Sequence, residues 1–413
     1  MHLRNLLFIL LILQPFIDKL AKKAGWSINV FNELLSISVF VAFMVVLLHR
    51  KKLNSLALLM FGFIGYCSLL VLYRGIYPLG FFQVVIYSQF FFYFFYFMTL
   101  SEEAKRKTMI SFKRIMAVFV YVIAIIALYE AYNHTVFRNY MGVHSVRRGI
   151  GYFYLISFFG SGPSLAIFIT LFVAIWHYCH YALKETIQKR HVFNLILAIV
   201  LGVLSFSRKE VFFMFVFLVF FPYPSKNLLN RWLKRLIFFT TVFAGLVVYY
   251  IAFFGKANAV ALDKDYIRWK IVRKASEIYI DHFPFGSGPG TFGSRVSLWM
   301  TDIYDRYNVG QDMLGWKVLG GNGPIYDAFL FTLFTEIGIG IFILFFFIYK
   351  LFEAKTIERN GPSRFVKNFL LLFTVALGMF TPMFLNNFGF MIMMFVGMII
   401  AHVSLFKFRN WYA

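Results

Sequence analysis

Carboxylates are scarce in this chain. Its 413 residues hold 18 Asp and Glu against 41 Lys and Arg, and charged residues of both signs make up only 14%. Soluble domains carry about a quarter charged residues, so a soluble globular domain is excluded. Cysteine is nearly absent too. Cys67 and Cys179 both fall in apolar runs, which leaves neither a disulfide framework nor a cysteine metal centre. There is no metal-ligand spacing, no internal repeat and no low-complexity linker. The first stretch, "MHLRNLLFILLILQPFIDKL", lacks a small-x-small cleavage site and carries Pro15 and Asp18. A retained span is therefore expected there instead of a signal peptide.

Apolar residues fill the space that charge leaves. The chain is 61% hydrophobic and 21% aromatic, with 57 Phe. A membrane core of roughly 30 Å is crossed by about 20 apolar residues, and runs of that length recur from end to end. The expected fold is an all-α polytopic membrane protein, one integral-membrane domain over 1–413. Twelve spans are predicted, near 4–20, 28–48, 55–73, 79–100, 115–132, 160–183, 192–206, 210–223, 236–255, 325–349, 368–386 and 388–405. The seventh and eighth meet at "SFSRKE", either as a tight hairpin pair or as one broken element. Residues 256–324 form one long external loop, and loops of that length are usually binding elements or lids.

The net charge of +23 points to nucleic acid only in a soluble protein. In a membrane protein it is first a positive-inside signal, read from short loops and not from long translocated ones. With loop 256–324 left aside, the predicted topology puts 23 basic residues inside against nine outside, so both termini are predicted cytoplasmic. Lys19, Lys22 and Lys23 run against that rule. The remaining outer-face cations include Arg147, Arg148, Arg208, Lys209, Arg268, Lys270, Arg273 and Lys274. Such residues either snorkel to lipid headgroups or bind an anion, and the arginine fork suits phosphate oxygens. Arg208, between two apolar runs, is expected to face the bundle interior or a wet cavity.

Within the loop, "KDYIRWKIVRKASEIYIDHF" places Ile267, Ile271, Ala275, Ile278 and His282 at helical spacing. It reads as an amphipathic helix lying in the membrane interface. Pro284 ends it and "PFGSGPGTFGS" follows, in which residues 288–293 match the G-x-G-x-x-G spacing. A dinucleotide turn needs a strand before it and a helix opening after it, and neither is present. Glycine instead permits positive φ and close backbone approach. The run is either a plain turn or a set of N–H groups offered to phosphate or to sugar hydroxyls.

These residues resemble the O-antigen polymerase and ligase family. The resemblance rests on the helix carrying Arg268 and Trp269, on the turn of Pro284, Gly286, Gly288 and Phe292, on "GVLSFSRKEVFFMF", and on "NGPIYDAFLFTLFTEIGIGIFILFFF" with Glu336 and Gly338. It covers about 140–350. Ligases of the family carry a histidine at the start of the span after the loop. Tyr326-Asp327 stands here, with Asn322 upstream, which favours a polymerase.

The resemblance implies a glycosyltransferase of the bacterial inner membrane, working at its outer, periplasmic leaflet. It would join oligosaccharide units linked to undecaprenyl pyrophosphate into O-antigen, capsule or exopolysaccharide. No metal or other cofactor is implied, and no nucleic acid. Membrane lipid, a chain-length regulator and a flippase are the expected partners. On that basis Arg208 and Arg268 are assigned to the pyrophosphate, with Arg147, Arg148, Lys209 and Arg273 in support. His282, Gly286, Gly288 and Asn322 are assigned to substrate binding. Asp327 is the candidate base or acceptor-sugar ligand, with an N-cap as its other reading. Glu336 lies nine residues on, roughly 13 Å deeper and half a turn round the helix. It is expected to be structural, paired with a basic or amide side chain. An O-antigen ligase and a lipid-linked oligosaccharide flippase are the alternatives.

Overall fold

Several helices start at a residue whose side chain caps the first turn. Ser161 accepts a hydrogen bond from the Ser164 N–H with Pro163 in the first turn, and Asn360 does the same for Ser363 with Pro362. Asn386 accepts from the Gly389 N–H, and Ser101 accepts from the Ala104 N–H ahead of Glu102 and Glu103. The computed structural model describes residues 2–23, 31–50, 55–141, 154–223, 267–294, 296–300, 302–309, 329–379 and 381–401. Among these, no β-strand occurs beyond an isolated bridge between Thr356 and Ile400.

The helices run in order α1 (His2–Lys23), α2 (Phe31–Arg50), α3 (Ser55–Arg74), α4 (Leu79–Met98), α5 (Glu102–Tyr132), α6 (His134–Tyr140) and α7 (Gly162–His177). Then come α8 (Lys189–Leu204), α9 (Arg208–Phe220), α10 (Ile267–Asp281), α11 (Asp302–Arg306), α12 (Phe329–Ile337), α13 (Ile341–Glu353), α14 (Gly361–Gly378) and α15 (Asn387–Ile399). Six helical stretches among the described residues are long and apolar enough to cross a membrane. They are Phe31–His49, Leu56–Arg74, Leu79–Met98, Glu102–Tyr132, Gly162–Ala182 and Phe329–Glu353. The predicted span 236–255 lies outside the described residues.

A helix that is apolar all round belongs in the interior, and α4 and α7 obey that rule. Both are buried over most of their length, whereas α2 and α5 turn more of their apolar surface outward. The run "QFFFYFFYF" in α4 supplies the aromatic centre. Tyr93 stacks on Phe390 of α15 at 4.9 Å, and Phe91 and Phe94 meet Phe347 of α13 edge-on. Such offset and edge-to-face pairs add to plain area burial.

Several elements differ from the sequence expectation, among them the eleventh span, predicted at 368–386 and found as Gly361–Gly378. The fifth span was predicted from 115, yet α5 starts at Glu102, because Ser101 caps a helix that continues through "KRKTMISFKR". The amphipathic helix, α10, turns its stripe of Ile271, Ala275 and Ile278 onto protein. These side chains are buried, with Phe292, Ile303 and Tyr304, in a small core belonging to the loop itself. Thr335 Oγ1 on α12 donates to the Ala275 carbonyl at 3.0 Å, and Tyr279 lies 4.3 Å from Phe334.

Candidate functional site

The span Phe329–Glu353 is interrupted after one third of its length. Gly338 takes φ +50°, and residues Gly338–Gly340 make a tighter 3-10 turn between α12 and α13. A break inside an apolar bundle frees backbone groups that must find partners. Here they do. The Ile339 N–H donates to the Pro284 carbonyl at 3.0 Å, and Tyr66 of α3 donates its hydroxyl to the Ile337 carbonyl at 2.9 Å. A Cβ added at Gly338 would lie 2.2 Å from that same Pro284 oxygen, so the loop and the break fit each other only without a side chain there.

The glycine run lies in this gap. Residues 286–294 are all buried. Their N–H groups can be accounted for one by one from 286 to 293, as buried donors require. Gly286 donates to the His282 carbonyl, Ser287 to Thr335, Gly288 to the Glu336 carbonyl, and Thr291 to Gly288. Pro289 has no N–H. Gly290 donates to Glu336 Oε2 at 2.8 Å, Phe292 to Glu336 Oε1 at 2.7 Å, and Gly293 to the Tyr304 hydroxyl at 2.8 Å.

The run therefore makes a backbone anion nest, and the anion it holds is the protein's own. Glu336 is 0% exposed and also accepts the Tyr87 hydroxyl from α4. This corrects the expectation that a basic or amide side chain pairs with Glu336. It also means that amides offered to phosphate or sugar in the sequence reading are engaged by an internal carboxylate. Gly286 and Gly288 serve the packing. Gly286 has φ +86°, and a Cβ on it would sit 2.6 Å from the Glu336 carbonyl oxygen.

Arg74, at the end of α3, fastens the other side. Its Nη2 and Nε donate to the Gly286 carbonyl at 2.7 and 3.1 Å. Beyond the nest, Tyr307 donates to Asp281 at 2.7 Å, and burial together with that carboxylate pushes its phenol up to about 12. The Tyr304 phenol is raised to about 12 chiefly by burial.

A polar cavity of about 390 Å³ lies elsewhere in the bundle. It opens among the ends of α1, α2, α4, α7, α9 and α15, and α4 links it to the nest, since Gln83 stands one turn before Tyr87. The carboxylates Asp18, Glu33 and Glu210 line it, with the amides Gln14, Gln83 and Gln89. Asn32, Asn386 and Asn387 add further amide groups, and among the described residues no Lys or Arg lines the wall. Gln89 is 1% exposed, and its Nε2 has no hydrogen-bond partner in the protein. Gln14 Oε1 is likewise unpartnered, while Gln14 Nε2 donates to Asp18 at 3.3 Å. Glu210 accepts from Ser207 Oγ at 2.6 Å.

No protein-family model and no curated protein matches this chain. Its site has to be read from its own residues. Arg208 and Lys209 open α9, exposed, beside the buried Glu210 that faces the cavity. Helix α9 packs on α7, whereas α10, which carries Arg268 and Arg273, packs on α12. Arg273 is exposed and pairs with Glu277 at 3.5 Å. The His282 ring Nδ1 lies 2.8 Å from the Ile278 carbonyl. The Arg268 side chain and residues Arg147, Arg148, Asn322 and Asp327 lie outside the described residues.

Sequence reasoning passed over Arg74, Tyr87 and the cavity amides. A signal for the last existed: Gln83 and Gln89 sit inside a run that is otherwise almost wholly apolar, and polar side chains within a span mark function by default.

Proposed function

We propose that this protein is a polysaccharide polymerase of the bacterial inner membrane. It joins oligosaccharide units carried on undecaprenyl pyrophosphate, with twelve spans, both termini cytoplasmic and the loop 256–324 periplasmic. One observation carries the reading. A bundle with a core of phenylalanine holds a cavity walled by amides and carboxylates, and a long loop is hydrogen-bonded into its spans. Sugar hydroxyls both donate and accept, and such a wall can meet them on both counts.

In this reading the cations of the loop and of the α8–α9 junction receive the diphosphate. Arg208 and Arg268, supported by Arg147, Arg148, Lys209 and Arg273, stabilise the negative charge that develops as the pyrophosphate leaves. Asp327 takes the proton from the attacking acceptor hydroxyl. Loop docking fixes the approach of donor and acceptor, and orientation alone supplies several kcal/mol. Deletion of the gene followed by gel analysis of surface glycan tests the proposal. Single units where long chains existed are the expected result. Polymer that stays lipid-linked points to a ligase.

A transporter or flippase reading draws on one specific feature, the three carboxylates that line the cavity wall. In the same experiment it requires loss of lipid-linked units from the outer leaflet.

A further inference from the structure

The turn at the start of the glycine run lies deeper than a surface loop, and two membrane-length helices measure its depth. In the span Phe329–Glu353, Ile339 comes ten residues after Phe329, about 15 Å along the axis. The 25 residues of that span are about 37 Å long against a membrane core of roughly 30 Å. Ile339 therefore stays inside the core from whichever end the excess projects, and its N–H donates to the Pro284 carbonyl. In the span Leu56–Arg74, Tyr66 comes eight residues before Arg74, about 12 Å along the axis. Its hydroxyl donates to the Ile337 carbonyl at 2.9 Å and lies 3.3 Å from that of Phe285. The Phe285 ring meets Tyr73 at 6.4 Å, and a Cβ on Gly288 would lie 2.6 Å from Ile76 in the turn between α3 and α4. Residues 284–288 thus run from the end of α3 down beside it.

Irregular backbone at membrane depth must have its polar groups satisfied within the protein. The turn meets that demand at its acceptors as well as its donors. The carbonyls of His282, Pro284 and Gly286 accept from the Gly286 N–H, the Ile339 N–H and the Arg74 guanidinium. The Gly288 carbonyl accepts the Thr291 hydroxyl at 2.7 Å. Two side chains point the other way: Phe283 is 69% and Phe285 43% exposed. Asp281, just before them, receives the Tyr307 hydroxyl. We infer that residues 283–288 form a re-entrant turn, seated in one membrane leaflet by contact of Phe283 and Phe285 with lipid acyl chains. The partner of this surface is hydrocarbon and not headgroup charge. It replaces the contact that the sequence assigned to the stripe of α10, which is spent on protein. This seating requires α3 and the interrupted span to cross a membrane, and it does not require the polymerase reaction.

The test uses the full chain in phosphatidylcholine–phosphatidylglycerol nanodiscs, spin-labelled at one introduced cysteine at a time: Phe283→Cys, Phe285→Cys, Phe342→Cys or Arg273→Cys. Power saturation compares oxygen, which concentrates in hydrocarbon, with a nickel chelate that stays in water. Cys67 and Cys179 are buried, and the unsubstituted chain supplies their background. At 283 and 285 the ratio of oxygen to nickel accessibility is expected to exceed one, as at the exposed Phe342 near the middle of its span. At Arg273, exposed on α10, it is expected to fall below one. A ratio at or below one at 283 or 285 means that water faces the turn and overturns the inference. Exclusion of both reagents there means that a second copy or another protein covers it, and overturns it equally. Each site is labelled alone, so a variant that does not fold leaves the other to decide.

Discussion

Tyr87 on α4 donates its hydroxyl to the Glu336 carboxylate on α12, and the same carboxylate receives two N–H groups of the glycine run. One buried acid therefore ties together a central helix, an interrupted span and the long loop. Removing it should release all three. Glu336→Ala leaves buried donors without an acceptor, each costing on the order of 1–3 kcal/mol. A lowered thermal midpoint is expected, with faster hydrogen exchange at Gly290 and Phe292. Unchanged exchange at those two amides would contradict the nest.

Tyr87→Phe is the milder change. It keeps the ring and deletes one donor while the two amides stay, so a loss of about 1 kcal/mol is expected. Exchange at Gly290 and Phe292 should remain slow, and measuring both variants separates the phenol's contribution from that of the amides.

A matched glycine pair tests the docking of loop on span. Gly286→Ala meets the Glu336 backbone and forces a positive φ on a residue with a side chain, at a cost of about 1–3 kcal/mol or more. Gly62→Ala on α3 meets nothing within 4 Å, and alanine gains up to about 1 kcal/mol in a helix. The first variant should unfold earlier than the parent and the second should not.

Arg74→Lys removes a fork and keeps the charge. Two N–H groups of the guanidinium converge on the Gly286 carbonyl, a geometry an ammonium cannot reproduce. Increased cleavage by trypsin within the loop, with the spans intact, is the expected outcome. Arg208→Ala tests the opposite kind of residue. It is exposed at the start of α9, so its loss should abolish polymerisation in the gel assay while leaving the amount of protein in the membrane unchanged.

The fold was legible where composition decides. Apolar length located α3, α4 and α7 to within a few residues, whereas the predicted start at 368 missed the first two turns of α14, which Asn360 caps. It was less legible where charge hides a helix, as in residues 102–114 of α5. The loop was legible as important, and its glycines as a tight turn. The target of its amides was not, because Glu336 lies 46 residues from Gly290 and no local pattern links them. Long-range pairing of a carboxylate with backbone leaves no side-chain partner in the sequence to search for. The same holds for the cavity, whose wall is drawn from six helices.

The interrupted span has a mechanical consequence. Bonds cross between Pro284 and Ile339, between Ser287 and Thr335, and between Gly288 and Glu336. These rungs zip the turn to the membrane segment along more than one helical turn. The pair can tilt or shift only as a single lever, so any motion of the loop must swing loop and span jointly. Spin labels on Phe283 and Phe342, both exposed, would then hold a constant separation however the rest of the bundle rearranges.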